Sequence, residues 1–456
     1  MRDAPESGRE RVTARASVSL GDDQVAAIAR AAFNGLGSAM LAVSGGADSM
    51  TLMLITERWR AIGGAAALNF PVHVATVDHG LRAGSAAEAT WVGQRAAAIG
   101  LPHHSLAWVG AKPTSGIQEA AREARYALLA GLIGRLGLPQ PAGIVLGHHL
   151  DDQAETFLMR LARGSGIDGL AGMQARRDVS IAGVRAVLVR PLLGLPKARL
   201  EATLAEAGRD WLEDPSNTDQ GFERVRVRRA LAGLDAAGVA PAMIATSVGR
   251  IARAVAALEA MTDDLQRRAL KLHDGAYAEI DAAAFGAAPA ELRLRLLQRV
   301  VRWFGGGGHA LPKLQRLEAL EQRLAVEEHA AATLGGCLLL REPTRILAMR
   351  EPGRRGLPEI VLAPGEARNW DNRFLVASSR PVQVKALPAE TLTALLLQRK
   401  KAGLPPLALP RRAALTLPSF WHAGRLIGLP HPAFGVGTDI GISAHFIAQL
   451  PPALQI

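Results

Sequence analysis

Only one cysteine, Cys337, occurs in 456 residues. An internal disulfide framework is therefore excluded, and a cytoplasmic setting is the simplest expectation. The chain also lacks any uninterrupted apolar run approaching the ~18 residues that a membrane-spanning helix needs. The opening segment MRDAPESGRERVTARAS has no apolar stretch of the kind a secretory signal carries, so residues 1–20 read as a flexible tail. Internal repeats at solenoid periods are missing too.

What is present is ample apolar content, 49% of residues, enough for packed cores in two or three domains. A formal charge of +11, carried mostly by arginine, makes a polyanionic partner plausible, since arginine suits bidentate contact with phosphate. Surplus arginine can equally be solvated surface, so local clusters must decide.

Short β-rich runs, SAMLAVS (38–44), VHVATVD (72–78), HHSLAWV (103–109) and AGIVLGH (142–148), alternate with helical patterns beginning near Asp48, Ala86, Gln118 and Asp151. Apolar strands separated by helices predict an α/β domain over 21–235: a parallel twisted sheet with helices on both faces and ligands beyond the strands' carboxyl ends. Residues 236–350 read as a mostly helical domain, and 351–456 as a small α+β domain of short apolar runs broken by Pro-Gly and Asn.

The first strand ends in Ser44-Gly45-Gly46-Ala47-Asp48-Ser49 and runs directly into a helix. Glycines allow close approach, serines add hydroxyls and the helix start adds positive dipole, so the turn reads as a phosphate cradle. It lacks the lysine and the spacing of a Walker loop. An ordinary strand-to-helix turn of small residues remains the bland alternative.

After the fourth strand comes GHHLDDQAETFLMRLARGSGIDGLAGM, 147–173. His148 and His149 fall at the sheet's carboxyl edge. Asp151, Asp152 and Glu155 share one face of the next helix. Acids in a first helical turn gain about 0.3 to 1 kcal/mol from the helix dipole, which accounts for the aspartates without function. Two histidines and a third acid beside a phosphate loop are less easily dismissed.

The loop resembles that of the PP-loop ATP pyrophosphatases, SGGxDS, complete here from Ser44 to Ser49. The acidic stretch resembles the HHxDDxxET signature of the tRNA(Ile)-lysidine synthetase family. Further matching segments are VDHGLRAGSAAEA (77–89), the ARxxRY element at Ala121, Arg122, Arg125 and Tyr126, RPLLGLPKARL (190–200) and WLEDPSNTD (211–219). Where that family commonly reads Arg-Asn-Arg-Ile-Arg, this chain has Arg224-Val225-Arg226-Val227-Arg228, which removes one side-chain amide.

The resemblance implies an adenine nucleotide alpha hydrolase-like fold and a two-step ligation. ATP, with Mg2+, adenylates O2 of the cytidine at the first anticodon position of a tRNA(Ile) bearing CAU. The amine of free L-lysine then displaces AMP, giving lysidine. The implied roles are ATP binding by Ser44, Gly45, Gly46, Ala47, Asp48 and Ser49, with Asp48 also at the metal. Lysine chemistry falls to Asp152 and Glu155 with His148 and Arg122 nearby, and tRNA contact to Arg125, Arg224, Arg226 and Arg228. A monomer or homodimer away from membranes is expected.

Other PP-loop chemistry stays open as the alternative: a tRNA thiolating enzyme, or a small-molecule ligase or amidotransferase. Protein-borne sulfur transfer needs a reactive cysteine, whereas Cys337 sits in the apolar run LGGCLLL far from the loop and reads as structural. Basic clusters at Arg354-Arg355, Arg399-Lys400-Lys401 and Arg411-Arg412 extend the expected RNA surface, with Trp370 and Trp421 as stacking platforms or, more ordinarily, core.

Overall fold

The computed structural model describes residues 18–80, 84–113, 115–181, 183–213, 223–306, 312–434 and 441–447. The chain divides into two compact units, Met1–Val255 and Ala256–Ile456. Residues 81–83 of the segment 77–89 and the DPSNTD end of 211–219, both singled out above, lie outside the described residues, as does the opening stretch 1–17.

In the first unit, β1 (Ser38–Ala42), β2 (Val72–Asp78), β3 (His103–Ala107), β4 (Ala142–Leu146), β5 (Arg176–Ile181) and β6 (Val184–Val189) form one sheet in the order β3-β2-β1-β4-β6-β5. All pairs are parallel except β5 with β6. That antiparallel hairpin was not anticipated. Its outer strand, at the sheet's edge, has no buried residue and opens on three exposed ones, a weaker apolar signal than the inner strands give. Gly183, at φ +80°, sits in its turn.

The same unit holds the helices α1 (Asp22–Phe33), α2 (Ala47–Ile62), α3 (Ser85–Ala98), α4 (Ile117–Leu136), α5 (Leu150–Ala162), α6 (Lys197–Glu206) and α7 (Glu223–Ala236), besides short ones at Gly64–Asn69 and Ile167–Leu170. The period-two alternation of β1 shows why both faces need cover. Ala39 and Leu41 enter a core shared with Val25 of α1, Met53 of α2, Val92 of α3 and Leu200 of α6. Met40 enters the opposite core with Leu129 and Ile133 of α4. A smaller cluster joins Ala154 of α5 and Leu231 of α7 to Ile244 and Val248 of α8 (Pro241–Ala269).

The second unit holds three sheets: β7 (Leu270–His273), β8 (Tyr277–Asp281), β9 (Ala330–Leu334), β10 (Cys337–Arg341) and β11 (Arg345–Arg350) in the order β7-β8-β11-β10-β9, then a four-stranded and a three-stranded sheet drawn from 360–446. The stretch read as mostly helical thus also supplies five strands. Asp274 and Gly275, at φ +49° and +77°, turn the chain between β7 and β8, and that Asp-Gly pair is the local signal for the hairpin. Buried side chains from Leu265 to Phe446 make one core, and the boundary expected near 350 falls inside it. Trp370 is fully buried there, with Nε1 donating to the Pro358 carbonyl at 2.9 Å. Trp421 is half-buried, with Lys385 Nζ 4.6 Å above its ring. Cys337 is also in this core, and burial pushes its thiol up to about 12, which makes it inert. Among the described residues, no single helix is long and apolar enough to cross a membrane.

Candidate active site

Parallel pairing brings the carboxyl ends of β1, β2, β4 and β6 to one edge of the first unit, and the loops beyond them carry the chemistry. After β1 the chain turns through Gly45 at φ +92°, a conformation that favours glycine. A Cβ there would also stand 2.8 Å from Leu212 Cδ1. The loop is tied to itself: Ser44 N–H donates to Ser49 Oγ at 3.1 Å, and that hydroxyl donates to the Gly46 carbonyl at 2.9 Å. Gly46 is the residue before α2, so the first amides of that helix, which have no intrahelical acceptor, open onto the loop.

Gly147, between β4 and the two histidines, brings this loop against the acidic helix. A Cβ on it would lie 2.9 Å from the Asp48 carbonyl carbon and 3.0 Å from the Ser49 nitrogen. Only a residue without a side chain permits that approach. In the sequence Gly147 is one more glycine at a strand end, and nothing local marks this contact.

His149 is the residue before α5 and links the two motifs. Its Nε2 lies 3.5 Å from Asp48 Oδ2 and 3.5 Å from Asp152 Oδ2, and its Nδ1 3.3 Å from Asp151 Oδ2. Burial by itself would depress this imidazole, but hydrogen bonds to Asp151 and Asp48 and the Asp152 charge raise it to about 10. It is therefore an imidazolium donating from both nitrogens. The Asp151 amide, 3.2 Å from Nδ1, is then a close neighbour and not a donor to it. Asp152 also accepts from the His149 amide at 3.0 Å, so its position is fixed as a helix-capping group.

These side chains line a cavity of about 340 Å³ together with Glu155, Lys197 and Arg228. Glu155 is 2% exposed. Its Oε1 accepts from Arg228 Nε at 2.6 Å, and Arg224 Nε lies 3.6 Å from Oε2. Arg224 and Arg228, one turn apart on α7, thus face an acid expected to serve lysine, while Arg226 is exposed. A carboxylate this deep requires a cation, which is why the two groups meet. Lys197, at the start of α6, donates its backbone N–H to Asp151 Oδ2 at 2.9 Å.

His148 turns to different surroundings. It is 8% exposed, with Nδ1 unpartnered. Burial and the charges of Arg125, Arg190, Arg122 and Arg224 hold it down at about 2, so it is a neutral imidazole. Arg122 and Arg125 therefore belong with His148, and the acidic cavity is formed without them. Arg190 and Tyr126 lie within the matching segments 190–200 and 121–126, and no local pattern marks them as neighbours of His148.

Asp48 Oδ1 is enclosed and without a hydrogen-bond partner. Among the described residues, no three His, Cys, Asp or Glu side chains converge as a metal cluster. A divalent cation here would have that one carboxylate oxygen and need phosphate oxygens for the rest of its shell, which suits a hard cation carried with a nucleotide.

A PP-loop domain family model matches residues 23–234. The tRNA(Ile)-lysidine synthase of Rhodopseudomonas palustris is 45% identical over 327 residues, covering 70% of this chain and 91% of the relative. That of Ruegeria pomeroyi is 37% identical over 392 residues, covering 86% and 87%. The second match extends the likeness well beyond the first unit.

Proposed function

The chain belongs to the tRNA(Ile)-lysidine synthase family, and from that premise we propose that it ligates L-lysine to C2 of the first anticodon cytidine of tRNA(Ile) bearing CAU, consuming ATP and releasing AMP and pyrophosphate. The observation that carries this reading is the bridge Asp48–His149–Asp152, which sets a phosphate-binding loop beside an acidic, amine-sized cavity.

The residues divide the work. The amides around Gly46 and the hydroxyls of Ser44 and Ser49 receive the triphosphate, with pyrophosphate as leaving group. Asp48 is the residue that would hold Mg2+. When bound, that ion neutralises charge on the phosphate oxygens. In the first half-reaction cytosine O2 attacks the α-phosphorus and pyrophosphate departs, giving the adenylated base. In the second, the lysine amine attacks C2, the amine loses its proton, and AMP leaves with the oxygen. Asp151, Asp152 and Glu155 attract the ammonium into the cavity and can accept that proton. His149, held as a cation between Asp48, Asp151 and Asp152, offsets the repulsion among their charges.

Of the alternatives, thiolation has little support because the sole thiol is buried in the second unit's core, and a small-molecule ligase or amidotransferase is not favoured by the curated relatives. The deciding experiment incubates the protein with ATP, radiolabelled lysine and an in vitro transcript of the CAU tRNA. The reading predicts label in RNA with matching AMP release. Incorporation of ammonia or sulfur in place of lysine, or AMP release independent of lysine and RNA, would overturn it.

A further inference from the structure

Three arginines are buried among the described residues: Arg190, Arg295 and Arg373, at 5%, 2% and 1% exposure. Two are neutralised. Arg295 pairs with Glu259 and Glu291, and Arg373 with Asp371. Arg190 has no carboxylate partner among the described residues. Its amide donates to the Ala175 carbonyl at 2.8 Å and its Nη1 to the Gln174 carbonyl at 2.9 Å, while Nε is enclosed and unpartnered. Neutral carbonyls hold the guanidinium in place without cancelling its charge.

The groups around it repeat the pattern. Arg125 of α4 is half-buried, and its Nε is also enclosed without a partner. The Tyr126 hydroxyl lies beside both guanidiniums and offers them a neutral phenol oxygen, not a counter-charge. His148 Nδ1 is likewise unpartnered. The strongest electrostatic influences on Arg125, Arg190 and His148 come from one another, Tyr126, Arg122, Arg177 and Arg224, and none from a carboxylate. Burying a cation without a counterion costs several kcal/mol, so such a nest is stable only if what it gains elsewhere, or from a ligand, offsets that cost.

We propose that Arg190, Arg125 and Tyr126, with Arg122 at the rim, form a second anion site that takes a backbone phosphate of the RNA substrate and so fixes the target nucleotide over the loop. The proposal rests on the reading that the substrate is RNA. Phosphate chemistry has two sources here, RNA and ATP, and two observations favour RNA. The glycine loop already supplies amides and hydroxyls for a triphosphate. Around the nest, moreover, cations cover aromatic faces: Arg122 lies 5.1 Å and Arg125 5.9 Å from the Tyr126 ring centre, and Lys112 Nζ 3.9 Å from that of Trp108. His79, whose imidazole feels Arg125, meets Trp108 edge-on at 5.9 Å. Interleaved cations and aromatic rings are how single-stranded RNA is held.

The test uses the full-length protein and its Arg190→Gln variant. Two ligands are measured separately: an anticodon stem-loop RNA bearing CAU, by fluorescence polarisation over a range of salt, and ATP with magnesium, by calorimetry. The expected result is a roughly ten- to hundred-fold loss of stem-loop affinity, a slope of log K against log salt smaller by about 0.7 to 0.9 per lost contact, and ATP affinity within two-fold. A drop in ATP affinity with stem-loop binding intact would assign the phosphate to the nucleotide and overturn the proposal, as would no change in either. If Arg190→Gln does not fold, Arg125→Gln, at a half-buried position, is judged by the same readouts. A wild-type protein that binds the stem-loop and never incorporates lysine would sink the proposed reaction and leave the nest standing.

Discussion

Two histidines adjacent in sequence end up in opposite electrostatic worlds. His149 is enclosed by Asp48, Asp151 and Asp152 and carries its proton up to about 10. His148 is enclosed by arginines and stays neutral down to about 2. Each imidazole is buried, so burial alone explains neither. The difference lies in which helices supply the neighbours. The start of α5 and the glycine loop place carboxylates on one side, and α4 with the end of β6 places arginines on the other. A single strand end thereby separates a cation-attracting cavity from an anion-attracting nest. That is what an enzyme joining an amine to a polyanion requires.

The largest expected effect breaks the acidic side at its bridge. Asp48→Asn removes a charge from His149 and the carboxylate proposed for Mg2+, and AMP formation is expected to fall by about 10²- to 10³-fold, the range for losing a preorganised electrostatic contact. Quantifying AMP release from labelled ATP measures this. A variant within ten-fold of wild type would remove Asp48 from the chemistry.

Glu155→Gln tests the same cavity from its far end. The amide leaves Arg228 and Arg224 without their acid and weakens ammonium binding by about 1.5 to 3 kcal/mol, roughly ten- to a hundred-fold in the lysine KM. If Glu155 also takes the amine proton, kcat falls as well. Lysine saturation kinetics separate the cases. A normal lysine KM with lost ATP binding would move Glu155 to the nucleotide.

Gly147→Ala strains the junction between loop and acidic helix. Its methyl would meet the Asp48 and Ser49 backbone, at a cost of about 1 to 3 kcal/mol. Chemical denaturation of the variant should show that loss, with ATP affinity reduced because the loop must shift. An unchanged denaturation midpoint and ATP affinity would show that the approach is slack.

The smallest effect sharpens the contrast through pH, in nucleotide- and metal-free protein. His148 is lowered from 6.5, so below that pH the unfolded chain takes a proton that the folded one refuses. Its contribution to stability is complete above about 6.5 and is lost on acidification, at up to about 1.4 kcal/mol per pH unit. His149 is raised, so its contribution is complete below about 6.5 and is lost as pH climbs toward 10. Thermal melts of His148→Asn and His149→Asn across pH 5 to 9 should therefore diverge from wild type in opposite directions. Parallel curves would mean the two surroundings are alike.

Much of the first unit was legible because inner parallel strands are apolar on both faces and their helices begin within a residue of the expected positions, at Ala47, Ser85, Ile117 and Leu150. The hairpins β5–β6 and β7–β8 are less legible, since β5 and β7 are edge strands with little apolar signal and the short apolar runs of β6 and β8 do not by themselves tell strand from helix. The loop Ser44–Ser49 and the acids of α5 were legible as motifs because backbone conformation and helix periodicity are written into neighbouring residues.

By itself, then, the sequence determined the alternation of strand and helix, the tight glycine turn into α2 and the shared face of Asp151, Asp152 and Glu155. Each follows from short-range sterics and periodicity. Only the tertiary structure decided that His149 would be charged and His148 neutral, that Arg228 would neutralise Glu155 from 73 residues away, and that Arg190 would be buried with no carboxylate partner among the described residues. The physical reason is that charge state and pairing depend on what the fold brings within a few ångströms, across distances along the chain that no local pattern records.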